Sequence, residues 1–464
     1  MWSVVSTLDM VLQGIAVVFT EPSFQTQREV LLGWVMCLGR RTEFRVFEAL
    51  VGARVPRSVR HPFDRHYNFF SRSAWCVKDL AHQVAMELVV GLAPRGELPL
   101  VVDGTLLHKS GQSVWGIGWF HDPVASTKKR VATAQGNKWV VMGLAVPIPG
   151  TKKVFCLPIH ALLQKPGSKS GEAELARQML DDVLRWFPDR KLLLVGDGGF
   201  SAKTLLRDLD ERVRYVGLMR SDAALHDPYV PPRRKGQPGP KPKCGQRLPA
   251  PRALMKRAAQ KKTKNTKRKK TGGKSRSRGK QYQWKKITVH AYGQERRFEV
   301  CSFVALWPKV FGTRPIQVVL CCPLEKGYRD VALFTTDLTA TPAWVVETYA
   351  RRSSIEATFK SSKQMMEIQK PQHWCRGSIE KLAPWVWFMQ SLIALWYLKY
   401  GRHLPEARTA RRELGDWESE WSFRHMLRLL RRLTIREMIS QTSHTKHDLQ
   451  QLTETLENYV YLAA

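Results

Sequence analysis

Acidic residues are scarce in this chain. Forty Asp and Glu stand against 75 Lys and Arg over 464 residues, a formal net charge of +35. From Arg233 to Lys286 there is no acid at all: 22 Lys and Arg in 54 residues supply +22 of that total. The eight cysteines form no C-x-x-C pair, which argues against a structural zinc cage, and their scatter does not suit a small disulfide scaffold. The most apolar long stretch, Trp385 to Leu398, has 14 residues and contains Gln390 and Ser391, too short to span a bilayer. At the N-terminus no cationic segment leads into an apolar one, and Asp9 comes early, so no secretory signal is read there. No repeat of fixed period occurs. These absences predict a soluble, cytoplasmic protein, and the charge predicts attraction to a polyanion such as nucleic acid.

What is present is ample apolar material, 43% of residues, in a chain too long for one ordinary core. Helical spacing dominates residues 23 to 92, with Thr42 placed to cap a helix through Leu50. Basic and aromatic residues interleave there, and two readings stand side by side: a small DNA-binding module, or a helical lid with a solvated charged face. At Leu98 the period shortens. Leu98 to Val102, Ser113 to Phe120, Trp139 to Val146 and Val154 to Leu162 read as strands, followed by a helix from Glu172 to Phe187 and a strand from Leu192 to Val195. Pro, Gly and Lys/Arg then fill about 222 to 290, a composition unable to offset its ordering entropy. Strands resume at Phe298, Pro315 and Val331. Thr341-Pro342 opens a helix by a hydroxyl cap and a first-position proline, running to about Met366. Together these predict a mixed α/β fold.

Two predicted strand ends deliver an acid, Asp103 after Val101-Val102 and Asp197 after Val195-Gly196. Alone, each reads more readily as a turn cap. The predicted helix 342 to 366 adds a third acid in a defined setting. Tyr349, Arg352, Glu356 and Lys363 fall within an arc of about 60° at about 100° per residue. Ile355 and Phe359 lie beside that stripe, so the helix buries one side and presents two cations, a carboxylate and a phenol at its edge.

The spacing Tyr349-x2-Arg352-x3-Glu356-x6-Lys363, with Asp103 and Asp197 upstream, resembles the bacterial insertion-sequence transposases of the DDE superfamily. Leu38-Gly39-Arg40-Arg41-Thr42 and Phe69-Phe70-Ser71-Arg72 also look like the family's N-terminal region. The resemblance implies a ribonuclease-H-like α/β catalytic domain in which Asp103, Asp197 and Glu356 hold two Mg²⁺ ions, Mn²⁺ substituting. Mg²⁺ prefers such hard oxygen donors, and a pair of ions serves phosphoryl transfer. It implies that Tyr349, Arg352 and Lys363 hold the DNA terminus. It further implies double-stranded partners, the terminal inverted repeats and target DNA, and a homodimer in a synaptic complex at the bacterial nucleoid.

On this reading 1–95 is a helical DNA-binding region and 96–221 begins the catalytic domain. Residues 222–335 are an insertion with a basic arm over about 233–286, 336–400 complete the catalytic domain, and 401–464 are helical. The 158 residues between Asp197 and Glu356 correspond to the family's strand-rich insertion, where some members stack an aromatic on a flipped base. Trp284 and Trp307 are the candidates, with packing the commoner role for either. Arg233, Arg234 and Lys235, on a Pro/Gly backbone, resemble a minor-groove arm. His108, His121 and His160 lie near predicted strands and are read as structural.

Overall fold

The computed structural model describes residues 4–51, 60–92, 96–122, 125–127, 130–168, 170–230, 242–256, 282–325, 327–407 and 420–441. Arg233, Arg234, Lys235 and most of the predicted basic arm lie outside them.

Ten strands form one sheet: β1 (Leu98–His108), β2 (Gly118–His121), β3 (Thr133–Pro147), β4 (Val154–Gln164), β5 (Leu192–Gly196), β6 (Val213–Met219), β7 (Lys285–Ala291), β8 (Gln294–Leu306), β9 (Pro315–Pro323) and β10 (Val331–Thr335). Their order is β2-β3-β1-β5-β6-β10-β9-β8-β7, with β4 also paired to β3. β1, β3 and β4 are successive antiparallel neighbours, whereas β5 pairs parallel with β1 and β6 parallel with β5. An antiparallel trio joined through its first strand to a parallel pair is the ribonuclease-H-like arrangement. The later strands do not make a separate sheet. β10 pairs antiparallel with β6, and β9, β8 and β7 extend the same sheet beyond it.

Val and Leu dominate β1 and β5, which are covered on both faces at the centre of the sheet, leaving no side for polar alternation; Leu100, Val101, Val102, Leu192 and Leu194 are fully buried. The helix Arg376–Lys399 explains the apolar stretch seen in the sequence. Nearly every side chain from Ile379 to Leu398 is buried, which is how an all-round apolar helix behaves at the centre of a large core. It packs on β4 and receives the N-terminal helices Ser6–Gln13, Arg60–Ser71 and Val77–Leu92. Trp34, on helix Glu21–Met36, meets Trp385 edge-on at 5.5 Å and donates its indole N–H to the Met366 carbonyl at 2.8 Å. The N-terminal helices thus share the catalytic region's core. Thr42 caps as expected, accepting the Arg45 amide. Among the described residues no helix is long and apolar enough to cross a membrane.

Three sequence expectations change. β1 does not end at Asp103 but continues to His108, Asp103 pairing with Val141 in mid-strand. Lys285–Ala291, predicted to lie in an irregular segment, is strand β7. The single helix expected over 342–366 is two, Pro342–Ala350 and Ser353–Gln364. The cause of the break is local: the Ser353 and Ser354 hydroxyls donate back to the carbonyls of Ala350 and Arg351, competing with the helical ladder, which tightens here to three-residue steps at Arg352, Ser354 and Ile355.

His160 has the structural role expected of it. Its Nε2 lies 3.1 Å from Asp182 on helix Glu172–Trp186, and Asp182 also accepts from Lys78 at 2.7 Å and from Arg185. Burial acts to raise the Asp182 carboxyl, but the bonds from His160, Lys78 and Arg185 outweigh it and hold it well below the usual range. A carboxyl depressed on folding adds stability above the unfolded value near 4, and that stability is lost as pH falls below it. Asp182→Asn is expected to cost about 2 kcal/mol at pH 7, the gap between wild type and variant narrowing progressively from about pH 5 toward about pH 1 in urea titrations. A constant gap across that window would refute the assignment.

Candidate active site

Asp103 faces out of the sheet from β1, with its carboxyl largely buried. One oxygen accepts the Gly104 amide at 2.8 Å, and the other accepts from Arg352 at 2.6 Å. The same guanidinium donates its second amino group to Glu356 at 2.6 Å. Asp103 and Glu356, 253 positions apart, are thus joined through one side chain. The helix break matters here, because it seats Arg352 at the first turn of Ser353–Gln364, between β1 and the carboxylate one turn on.

Asp197 stands just past β5, the parallel neighbour of β1. Its Oδ1 accepts the amides of Gly199 and Phe200 at 2.8 and 3.4 Å, the turn cap that the sequence suggested. The capping role does not remove it from the cluster, for its charge acts on Asp103, Arg352 and Tyr349. Gly196 makes this turn possible. A Cβ there would stand 2.8 Å from the Tyr215 hydroxyl and 2.9 Å from the Phe200 Cβ, so only glycine leaves room for the buried Tyr215 ring beneath the acid.

The electrostatics follow from crowding. Burial pushes the Asp103 carboxyl up to about 6; Arg352 pulls against that rise, and the charges of Asp197 and Glu356 add to it. Burial likewise lifts Tyr349 to about 12, with Arg352 opposing. Glu356 is more open, its side chain 57% exposed. Three acids beside one guanidinium carry net negative charge, a disposition that suits a multivalent cation.

Among the described residues no three His, Cys, Asp or Glu side chains stand within reach of one common ion. What holds two of the acids together is a cation, the Arg352 guanidinium. All the donors are carboxylate oxygens, the hard ligands Mg²⁺ takes. A divalent ion therefore fits the chemistry of the site, provided Arg352 gives up its place between Asp103 and Glu356.

Lys363 occupies a different part of the site. Burial lowers its ammonium, and the carboxylate acting against that is Asp122, not Glu356. Of the expected stripe, Tyr349, Arg352 and Glu356 gather at the acids, whereas Lys363 lies two turns on, toward the far end of β1. Trp307 is corrected outright. It is 4% exposed and packs edge-on against Phe334 at 5.5 Å, so it has no free face for a base. Trp284 is half-buried against the core and belongs to packing as well.

Tyr292 was not singled out in the sequence. It forms with Gly293 the two-residue turn between β7 and β8, both at positive φ (55° and 80°), the mirror-image turn that tight hairpins favour. Its phenol lies within electrostatic reach of Arg352 and Glu356. The Glu347 carboxylate accepts the His290 amide at 3.2 Å, tying this hairpin to helix Pro342–Ala350. A signal existed in Tyr292-Gly293 flanked by alternating residues, hidden by the basic run before it.

Comparison with known proteins agrees with this geometry. No curated protein matches the chain. A family profile described as DDE superfamily endonuclease matches residues 19–289, a span that includes Asp103 and Asp197 and stops short of Glu356. Members of this group are generally dependent on divalent metal. With more than half its length matched and its acids assembled on a ribonuclease-H-like sheet, the chain belongs to the DDE superfamily endonucleases.

Proposed function

We propose that this protein is a DNA transposase, which cuts at the ends of a mobile element and joins the freed 3′-OH to target DNA. The observation that carries the reading is Arg352 joining Asp103 to Glu356, with Asp197 close enough for its charge to act on Asp103 and Arg352. A phosphodiester is anionic and resists attack, so its transfer depends on positioned positive charge more than on covalent chemistry. Two Mg²⁺ ions, held by Asp103, Asp197 and Glu356, would activate the attacking oxygen and stabilise the leaving one. Asp103, whose carboxyl feels the charge of both other acids, would hold the ions together with them.

The chain's own residues supply the rest. Arg352, with its planar fork of donors, binds the phosphate once it leaves the carboxylates. Tyr349 keeps its proton at neutral pH and serves as a donor beside that phosphate. Lys363 adds a point charge further along the strand. Gly104 and Gly199 hold one oxygen each of Asp103 and Asp197 in place through their amides, and the Tyr292 phenol stands within electrostatic reach of Arg352 and Glu356. The N-terminal helices and the arm containing Arg233, Arg234 and Lys235 would bind flanking DNA by neutralising phosphates, with a steep loss of affinity in salt, and two copies would hold two element ends.

Strand transfer is the test. Pre-cleaved end DNA incubated with target plasmid and Mg²⁺ is expected to yield joined product. Metal-dependent cuts with no joined product would reduce the protein to a nuclease.

A further inference from the structure

Exposed tryptophan is uncommon, because indole gains by burial. Here two indoles on the catalytic side of the sheet remain open: Trp374 is 58% exposed and Trp119 70%. Beside Trp374 runs a groove of about 680 Å³, bordered also by Arg40, by His108-Lys109-Ser110 at the end of β1, and by residues 369–373. No acid lines it among the described residues. Two carboxylates come near it among the described residues and both are paired: Glu43, buried, with His373 at 2.9 Å, and Asp122 with His108 at 3.2 Å.

Register places this groove on the face that carries the acids. Side chains alternate along β1, so Asp103 and Lys109 point the same way. Lys109 bonds to the Gln135 carbonyl through its amide, and Trp119 pairs with Gln135 from the other side, so Lys109, Gln135 and Trp119 share that face across three strands. The Lys109 ammonium fastens the 369–374 loop over it, donating to the carbonyls of Gln369 and Pro371 at 2.9 and 2.6 Å. Trp374 in turn is held through its carbonyl, which accepts the Trp115 amide at 2.9 Å, leaving its ring outward.

A cationic track joins the two places. Helix Ser353–Gln364 runs beside β1, from Arg352 at Asp103 to Lys363 near Asp122, and Asp122 lies 3.2 Å from His108 at the groove. Eleven helical residues rise about 16 Å, and the five strand residues from Asp103 to His108 about 17 Å. The groove therefore lies within about five nucleotides of the scissile position, fewer where a strand is extended beyond the 3.4 Å per nucleotide of a duplex. Duplex DNA offers mainly phosphates to such a surface, whereas unpaired bases offer faces for indoles to stack on.

We infer that this groove binds single-stranded DNA within about five nucleotides of the scissile phosphate, its bases stacking on Trp374 and Trp119 and its phosphates meeting Arg40 and Lys370. The location of the scissile phosphate rests on the transposase reading; the groove's preference for unpaired strands does not. The test measures binding of a 12-nucleotide oligo-dT and of a 12-base-pair duplex to the full chain, without divalent metal. Trp374→Ala and Trp119→Ala are each expected to weaken oligo-dT binding about tenfold, with Phe at either position retaining affinity and duplex binding changed less than twofold. 5-Bromodeoxyuridine placed in turn at each position within about five nucleotides of the cleavage site is expected to photo-crosslink to Trp374 at one or two adjacent positions in the Asp103→Asn protein. Unchanged oligo-dT affinity in folded variants, or an equal loss on duplex, would overturn the inference even if strand transfer is found. A tenfold loss with no cleavage by the wild type would leave the groove standing and remove the enzyme.

Discussion

Asp103→Asn is expected to lower divalent-metal-dependent DNA cleavage by about 10³-fold or more while leaving DNA affinity within about twofold. Asn has the same shape but only one acceptor oxygen, enough for either Gly104 or Arg352 and not both, so the fold is retained while one of these two bonds is lost. What it lacks is the charge that a shared divalent ion needs. The Asp103 carboxyl feels the charge of both other acids, so its loss takes one ligand out of a shared set. Affinity persists because a chain of net charge +35 binds phosphates with cations, not with this carboxylate. The measurement pairs single-turnover cleavage of end DNA with gel-shift titration at one salt concentration. Cleavage within tenfold of wild type would displace Asp103 from the site; affinity falling in step with rate would make it a binding residue instead.

Arg352→Ala is expected to have two separable effects. Cleavage should fall about 10²-fold to 10³-fold, the scale of losing one preorganised phosphate donor. Without added metal the protein should also lose about 3 kcal/mol at neutral pH, since removing one member of a buried ion pair leaves charge uncompensated. Here the residue left behind is Asp103, with Glu356 and Asp197 nearby. Added Mg²⁺ then compensates for more than it does in wild type. The gain in melting temperature on adding 10 mM Mg²⁺ should therefore be larger in the variant. An equal or smaller gain would show that Arg352 and the ion do not contend for the same carboxylates. The comparison reads metal binding directly, apart from turnover.

Much of the site was legible in residue spacing. Asp103 and Asp197 follow buried apolar runs, and Tyr349, Arg352 and Glu356 fall on one stripe at helical period. That stripe brings them to the same acids in the fold despite an interruption at Arg351-Arg352. The interruption itself had a visible cause in Ser353-Ser354, whose hydroxyls compete for carbonyls, but periodicity tolerates such a slip and gives no sign of it. Trp307 misled because a tryptophan's exposure cannot be read from its neighbours in sequence. Tyr292 escaped notice because its relation to Arg352 is made only when β7 and β8 join the sheet edge and Glu347 takes the His290 amide.

The order of apolar and polar residues along the chain determined the mixed α/β class, the three acids and the cations that accompany the last of them, because period and cap chemistry are local properties. Tertiary structure decided which of those cations meets which acid. It set Arg352 between Asp103 and Glu356, sent Lys363 toward Asp122, buried Trp307 and left Trp374 open. Each of these depends on strand order and helix register between segments hundreds of residues apart, and non-local pairing of that kind leaves no trace in a window of sequence.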